Sequence, residues 1–499
     1  MVAHRQPASG GCRAPASPYT PSRRAPSNRP GRTLGREAAL TRPTPDEPRG
    51  DRRPRPVFAG LVAGTFATRV GQFALAIVVS FTLARLLGPD GRGVYFTLTL
   101  IPGTLYALAT FGLPSSLTVF SGRGAPMDPM VRRTIVLGLA ASSWLIAGIL
   151  VLLPVLAGTV LRSVPVDLLP WVVAAIPLQL TGSFAGSVLF GRQRVRIYNV
   201  VSLVQGISTL VLVLTLVGAL HLGVAGALAA FFATTSGAGL LLVTELWRQA
   251  RREAAGGDDV GYRTIFGYGL RLYPGVLSSF FNLRADIYLL NWLLGSAGAI
   301  GLYSLAVSLA EIVFYVPDSV SAIFMPRVAA AGRAESAASV ADVTRLTFLV
   351  TAGVAIALAP ACVVAIVVIL PAFTGSIPPL LVLLPAVVIL SLSRVLASYL
   401  TGLAIARPTV IASVSSLVVN LGANVVLIPT SGIFGAAVAS LLSYSVSGGL
   451  LLRAASLESR VPARRFLVPQ RGDVARVAAV IRSVLALLRL RRRPAEREG

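Results

Sequence analysis

LLGPDGRGVYF, residues 86–96, returns two hundred residues later as LLGSAGAIGLYSL, residues 293–305. The first stretch has the glycine content of a phosphate-cradling loop. Its Gly88, Gly91 and Gly93 nevertheless match neither G-x-G-x-x-G nor the Walker spacing, and no Lys follows, because the chain contains none. The residues before it, from Phe58 onward, stay apolar for far longer than a strand. The stretch therefore reads as a tight turn between two apolar segments, with Gly relieving the steric cost of the reversal. A flexible outer gate is its functional alternative. A second echo keeps nearly the same offset, about 208 residues: GVAGALAAFFATTSGAGLLL from Gly223 aligns with GIFGAAVASLLSYSVSGGLLL from Gly432. Gly226 then matches Gly435, and Gly239 matches Gly448.

Composition sets the class. Of 499 residues, 54% are hydrophobic and 13% charged, against about 25% charged in soluble domains. Apolar runs predict spans near 58–87, 94–120, 134–157, 169–190, 198–219, 223–246, 265–294, 300–325, 346–370, 377–404, 409–428 and 432–453. With the repeat, they make an all-α polytopic membrane protein of about 12 transmembrane helices. These form two parallel six-helix units in a V-shaped, bilobal bundle. The expected divisions are a disordered Arg/Pro-rich arm (1–56), a first lobe (57–246), a linker (247–263), a second lobe (264–453) and a basic tail (454–499). Val474, Val477, Ile481, Val484 and Leu488 give that tail one amphipathic helix.

The net charge of +25 lies in the tails and in alternate short loops. Arg132, Arg133, Arg192, Arg194, Arg196, Arg333 and Arg345 fall on one side, and only Arg92 and Arg162 on the other. This is the positive-inside pattern, so both termini are expected in the cytoplasm and no nucleic-acid partner is required. The two cysteines, Cys12 and Cys362, and the two histidines, His4 and His221, make no disulfide or metal framework. No cofactor is expected, and the protein reads as a monomer in the cell membrane.

The two glycine turns, the R-x-D inside the seventh span and the 6+6 plan resemble the oligosaccharide flippase (Wzx-type) branch of the multidrug/oligosaccharidyl-lipid/polysaccharide exporter superfamily, over residues 58–453. The resemblance implies transfer of an undecaprenyl-diphosphate-linked oligosaccharide from the cytoplasmic to the outer leaflet, not an enzymatic reaction. The related lipid II flippases usually carry fourteen spans, against the twelve read here.

Ionisable groups within spans are candidates for function because they are expensive there. Arg69 and Gln72 lie in the first span, and Arg284 and Asp286 in the seventh. Glu311 and Asp318 lie in the eighth, and Arg394 in the tenth. Guanidinium groups grip phosphate oxygens in pairs, so Arg69, Gln72 and Arg284 are the expected diphosphate site. Lipid II flippases are similar in using arginines of their first spans, which the resemblance carries over to Arg69 alone. Asp286 and Glu311 are candidates for coupling to H⁺ or Na⁺, and Asp318 and Arg394 for a structural ion pair. Arg284 and Asp286, two residues apart, should face different ways. The rival readings are a cation-coupled multidrug antiporter, a lipid II flippase, a membrane-bound glycosyltransferase or polymerase, and a scaffold. The short external loops hold no acid–base constellation for glycosyl transfer.

Overall fold

The computed structural model describes residues 56–122, 124–158, 169–252, 260–403, 405, 407–470 and 472–473, and these are helical almost throughout. The helices are α1 (Pro56–Ala109), α2 (Leu113–Gly122), α3 (Met127–Gly158), α4 (Leu169–Gly191), α5 (Val195–Leu212) and α6 (Gly223–Ala250). They are followed by α7 (Tyr262–Leu294), α8 (Ala297–Ala310), α9 (Tyr315–Ile369), α10 (Ile377–Gly402), α11 (Arg407–Ser459) and the short α12 (Arg464–Leu467). Nine helical stretches among the described residues are long and apolar enough to cross a membrane. Two of them are pairs of rods joined at Gly88 and Gly432. The 33-residue α7 is outside the nine and carries Arg271, Arg284 and Asp286.

The glycines of the repeated stretch explain the joints. Gly88 breaks α1 at φ 67°, and Gly295 ends α7 at φ 59°. Side chains rarely adopt that left-handed region, because Cβ meets the following carbonyl. The chain reverses at Gly88, so that the Arg92 guanidinium bonds the carbonyl of Ser80, twelve residues back, at 2.7 Å. Two further pairs have the same property at the repeat offset: Gly124 with Gly332, and Gly223 with Gly432.

Packing follows the same division. In the second half, α10 lies between α9 and α11, and α7 packs on α11. In the first half, α4 packs on α6. The core of the second half centres on Ile287, Tyr303, Leu380 and Ala436, all with no exposed surface. That of the first centres on Leu117, Met130, Phe184 and Leu246.

Of the arginines read as loop charges, Arg92, Arg133 and Arg345 are buried on helices, and two of them show why. Arg345 sits on α9 and is completely buried. The chain after α11 folds back onto it, giving bonds from its Nε to Asp473 Oδ2 at 2.6 Å and from its Nη1 to the Arg465 carbonyl at 2.8 Å. Phe466, with no exposed surface, packs beside α9 and α10. Arg92 is also buried, inside the helix hairpin and out of any loop. The reason in both cases is that helix continues through a position where charge and glycine suggested a loop. The arm before residue 56 and the tail helix beyond 473 lie outside the described residues.

Candidate functional site

A cavity of about 430 Å³ lies where α1, at Ala76–Ser80, meets α7, α8, the start of α9 and α10. Ala76 and Ser80 face it from the first half of the chain, and Arg284, Glu311, Asp318 and Arg394 from the second. Glu311 and Asp318 are seven residues apart, which is two helical turns and therefore one face. Pro317 has no N–H to offer the carbonyl four residues back, and the backbone just before it tightens into a 3₁₀ turn over Glu311–Phe314.

The charges meet in pairs. Arg284 grips Glu311 with both ends of its fork, Nη1 to Oε1 at 2.5 Å and Nη2 to Oε2 at 3.2 Å. About a quarter of each side chain stays exposed, 24% and 29%. Arg394 pairs with Asp318 and lies over the Phe314 ring, 4.3 Å from its centre. The cavity therefore holds two guanidinium groups that are each neutralised by a carboxylate. The pairs remain partly wet, which keeps them exchangeable.

Asp286 does not line this cavity. It is buried in the second half, accepting from the Tyr303 hydroxyl at 2.5 Å and the Ile287 amide at 2.9 Å. The two-residue spacing from Arg284 turns it toward the core. Gln72 lies in an adjoining cavity of about 390 Å³ and donates to the Asn199 carbonyl at 3.3 Å. The Arg69 side chain lies outside the described residues, so its convergence with Arg284 has no geometry here.

Arg92 is the functional candidate that sequence reading missed. It lines the adjoining cavity, and its bonds all go to neutral groups: the Ser80 carbonyl and hydroxyl, Ser304 Oγ at 3.1 Å and Ser308 Oγ at 3.4 Å. Ser308 lines both cavities, so this buried cation borders the site of Arg284. The available signal was an Arg four residues after a reversal glycine, with serines at helical spacing on α8; it was read as a loop charge.

The two halves touch at both ends of the bundle. At the Gly88 and Gly295 end, a Cβ on Gly93 would overlap the Ala297 carbonyl, and one on Gly301 the Pro89 carbonyl. The contact is reciprocal, as a pseudo-two-fold requires. At the other end Tyr273 donates to the Leu108 carbonyl at 2.8 Å, and Gly112 abuts Gly269.

Comparison with known proteins places this architecture. A search of curated proteins finds no match in sequence. Among solved structures, the chain is similar to "Lipid II flippase MurJ, inward closed conformation", with TM-score 0.61 and 10% identity over 85% of this chain and 98% of that one. It is similar to a MATE transporter in the straight conformation, with TM-score 0.56 and 13% identity over 85% and 96%. An inward-facing multidrug resistance MATE family transporter of the MOP superfamily gives TM-score 0.53 and 14% identity over 82% and 96%. These likenesses establish the fold. Residues 61–328, more than half of the chain, match the profile described as "Polysaccharide biosynthesis protein". The chain belongs to that polysaccharide biosynthesis protein family.

Proposed function

We propose that the protein is a flippase that carries a lipid-diphosphate-linked oligosaccharide from the cytoplasmic to the outer leaflet for cell-surface polysaccharide synthesis. Twelve spans in two parallel six-helix lobes, with both termini cytoplasmic, are part of this reading. The observation that carries it is the bidentate Arg284–Glu311 pair in a cavity between the halves, beside an Arg92 whose partners are neutral. A carboxylate gripped by both arms of a guanidinium occupies the positions that two phosphate oxygens would take. Glu311 thus holds the place of the cargo's phosphate and keeps Arg284 aimed while the site is empty. An arriving diphosphate exchanges for it, and Arg92 adds positive potential that no carboxylate cancels. In this reading Glu311 is the carboxylate through which transport couples to H⁺ or Na⁺. Arg394 and Asp318 form the second pair of the same wall. Arg69 remains part of the proposed diphosphate site on the strength of the resemblance alone.

The test is reconstitution into liposomes with a fluorescent lipid-diphosphate oligosaccharide. Arg284→Ala is expected to slow transbilayer movement about thirtyfold, the worth of one charged hydrogen-bonding group of about 2 kcal/mol. Glu311→Gln should preserve binding and remove dependence on the proton gradient. The acidic residues Glu311 and Asp318 favour one other reading, a cation-coupled drug antiporter. Export of ethidium with no lipid movement would establish that reading instead.

A further inference from the structure

A second lined cavity, of about 440 Å³, lies wholly within the first half of the chain, among α1, α2, α4, α5 and α6. Its chemistry differs from that of the charged site. None of its lining side chains carries a charge; it is built from hydroxyls, two carboxamides and aromatic rings. Several hydroxyls are already engaged: Ser183 donates to Tyr106 Oη at 2.8 Å, Ser187 to the Ser183 carbonyl at 3.0 Å, and Thr118 to the Ser187 carbonyl at 3.0 Å. The Gln179 carboxamide and the Tyr198 hydroxyl have no hydrogen-bond partner among the described residues. Tyr198 is 37% exposed and Gln179 partly exposed, so both groups are open to water or a ligand. Gln205, whose Nε2 reaches Thr235 Oγ1 at 3.4 Å, lines both this cavity and the one containing Arg92. That middle cavity shares Ala76, Ser80 and Ser308 with the Arg284 site. The three cavities are therefore neighbours in sequence: charged, mixed and neutral.

We infer that the neutral cavity is a glycan subsite, holding an uncharged sugar of the cargo while its diphosphate sits at Arg284. This rests on the flippase reading. A neutral sugar presents many hydroxyls, each donor and acceptor, and apolar C–H faces. Free carboxamide and phenol groups satisfy the hydroxyls, since a Gln offers two donors and an acceptor. The rings of Tyr106, Phe190 and Tyr198 supply flat apolar surface with a polar edge. The volume lies within the range of small-ligand sites, about 300–1,000 Å³. The ionic pairs lie on the second half; the first half carries Arg92 in the middle cavity and, beyond it, the uncharged polar cavity.

The test is equilibrium binding to the purified full-length protein with four probes: farnesyl diphosphate, and its esters with linear trisaccharides of glucose, of galactose and of N-acetylglucosamine, long enough to cross the middle cavity. At least one ester is expected to bind about tenfold tighter than bare farnesyl diphosphate. The double variant Gln179→Leu, Tyr198→Phe should erase that increment, while its binding of farnesyl diphosphate reports that it is folded. Arg284→Ala should weaken all four probes by a similar factor. Native protein that binds esters and bare diphosphate alike would overturn the glycan subsite and leave the flippase reading standing. So would an increment that survives the double variant. Native protein that binds none of the four would overturn both.

Discussion

Arg92 and Arg345 are both buried, and they are buried for different purposes. Arg345 meets Asp473, whose side chain is 2% exposed, and that pair ties the chain beyond α11 to α9. Removing the guanidinium takes a charge-assisted bond from the buried Asp473 and from Asp342. Arg345→Ala is thus expected to cost about 3–5 kcal/mol, seen as a marked drop in the thermal inactivation midpoint in detergent. The double variant Arg345→Met, Asp473→Leu should recover most of it, because it removes both charges. Arg92 has no such carboxylate among the described residues. Its four bonds to serine groups leave its charge to act on whatever enters the cavity. Arg92→Lys should lose most of the transport rate in the liposome assay at unchanged protein level, because an ammonium cannot span Ser80 and Ser304 as the planar fork does. Full activity of that variant would leave Arg92 a packing residue.

At the scale of elements, the repeated glycines do two jobs. Gly88 and Gly295 supply a left-handed φ with no atom within 4 Å of an added Cβ, so Gly88→Ala and Gly295→Ala are expected to cost about 1–2 kcal/mol of conformational strain each and nothing from crowding. Gly93 and Gly301 are ordinary in backbone angle and crowded instead, each against a carbonyl of the other half. A side chain at either must force the contact apart. Gly301→Val is therefore predicted to open this end of the bundle. The check uses Ile312→Cys, in the cavity wall, after Cys12 and Cys362 are replaced by Ser. A membrane-impermeant maleimide added from the Gly88 and Gly295 side should label it in the Gly301→Val background and spare it in the parent. Equal labelling would show that the glycine contact does not gate the cavity.

For the whole molecule, contacts between the halves lie at both ends of the bundle, and the charged cavity is lined from both halves. Alternating access in such a bundle is a rocking of one half against the other about a fixed site. The sidedness can be tested directly. A cytoplasmic reporter fused after residue 459, at the end of α11, is expected to be active, as the two-lobe, even-span plan requires. Activity of a reporter that works only outside the cytoplasm would overturn the twelve-span count and the direction of transport derived from it.

Composition and repeat determined the class by themselves. Spans follow from apolar length, the duplication is audible in glycines at a constant offset, and each charge inside an apolar run marks itself as unusual because hydrocarbon penalises it. Arg284, Glu311, Asp318 and Arg394 could be named on that ground alone. Which of them meet was decided only by the tertiary structure. Arg284 and Glu311 are 27 residues apart on different helices, and helix packing chooses their pairing. Asp286, two residues from Arg284, was equally conspicuous in sequence, but helical rotation sends it into the core, where Tyr303 waits. Arg92 shows the converse. Its local surroundings, glycines and an aspartate, are those of a wet turn; the hairpin folds Ser80 back onto it, and the stacking of α8 supplies Ser304 and Ser308. Local sequence carries chain reversal and membrane crossing because these depend on neighbours along the chain. Ion pairing and cavity walls depend on neighbours across it.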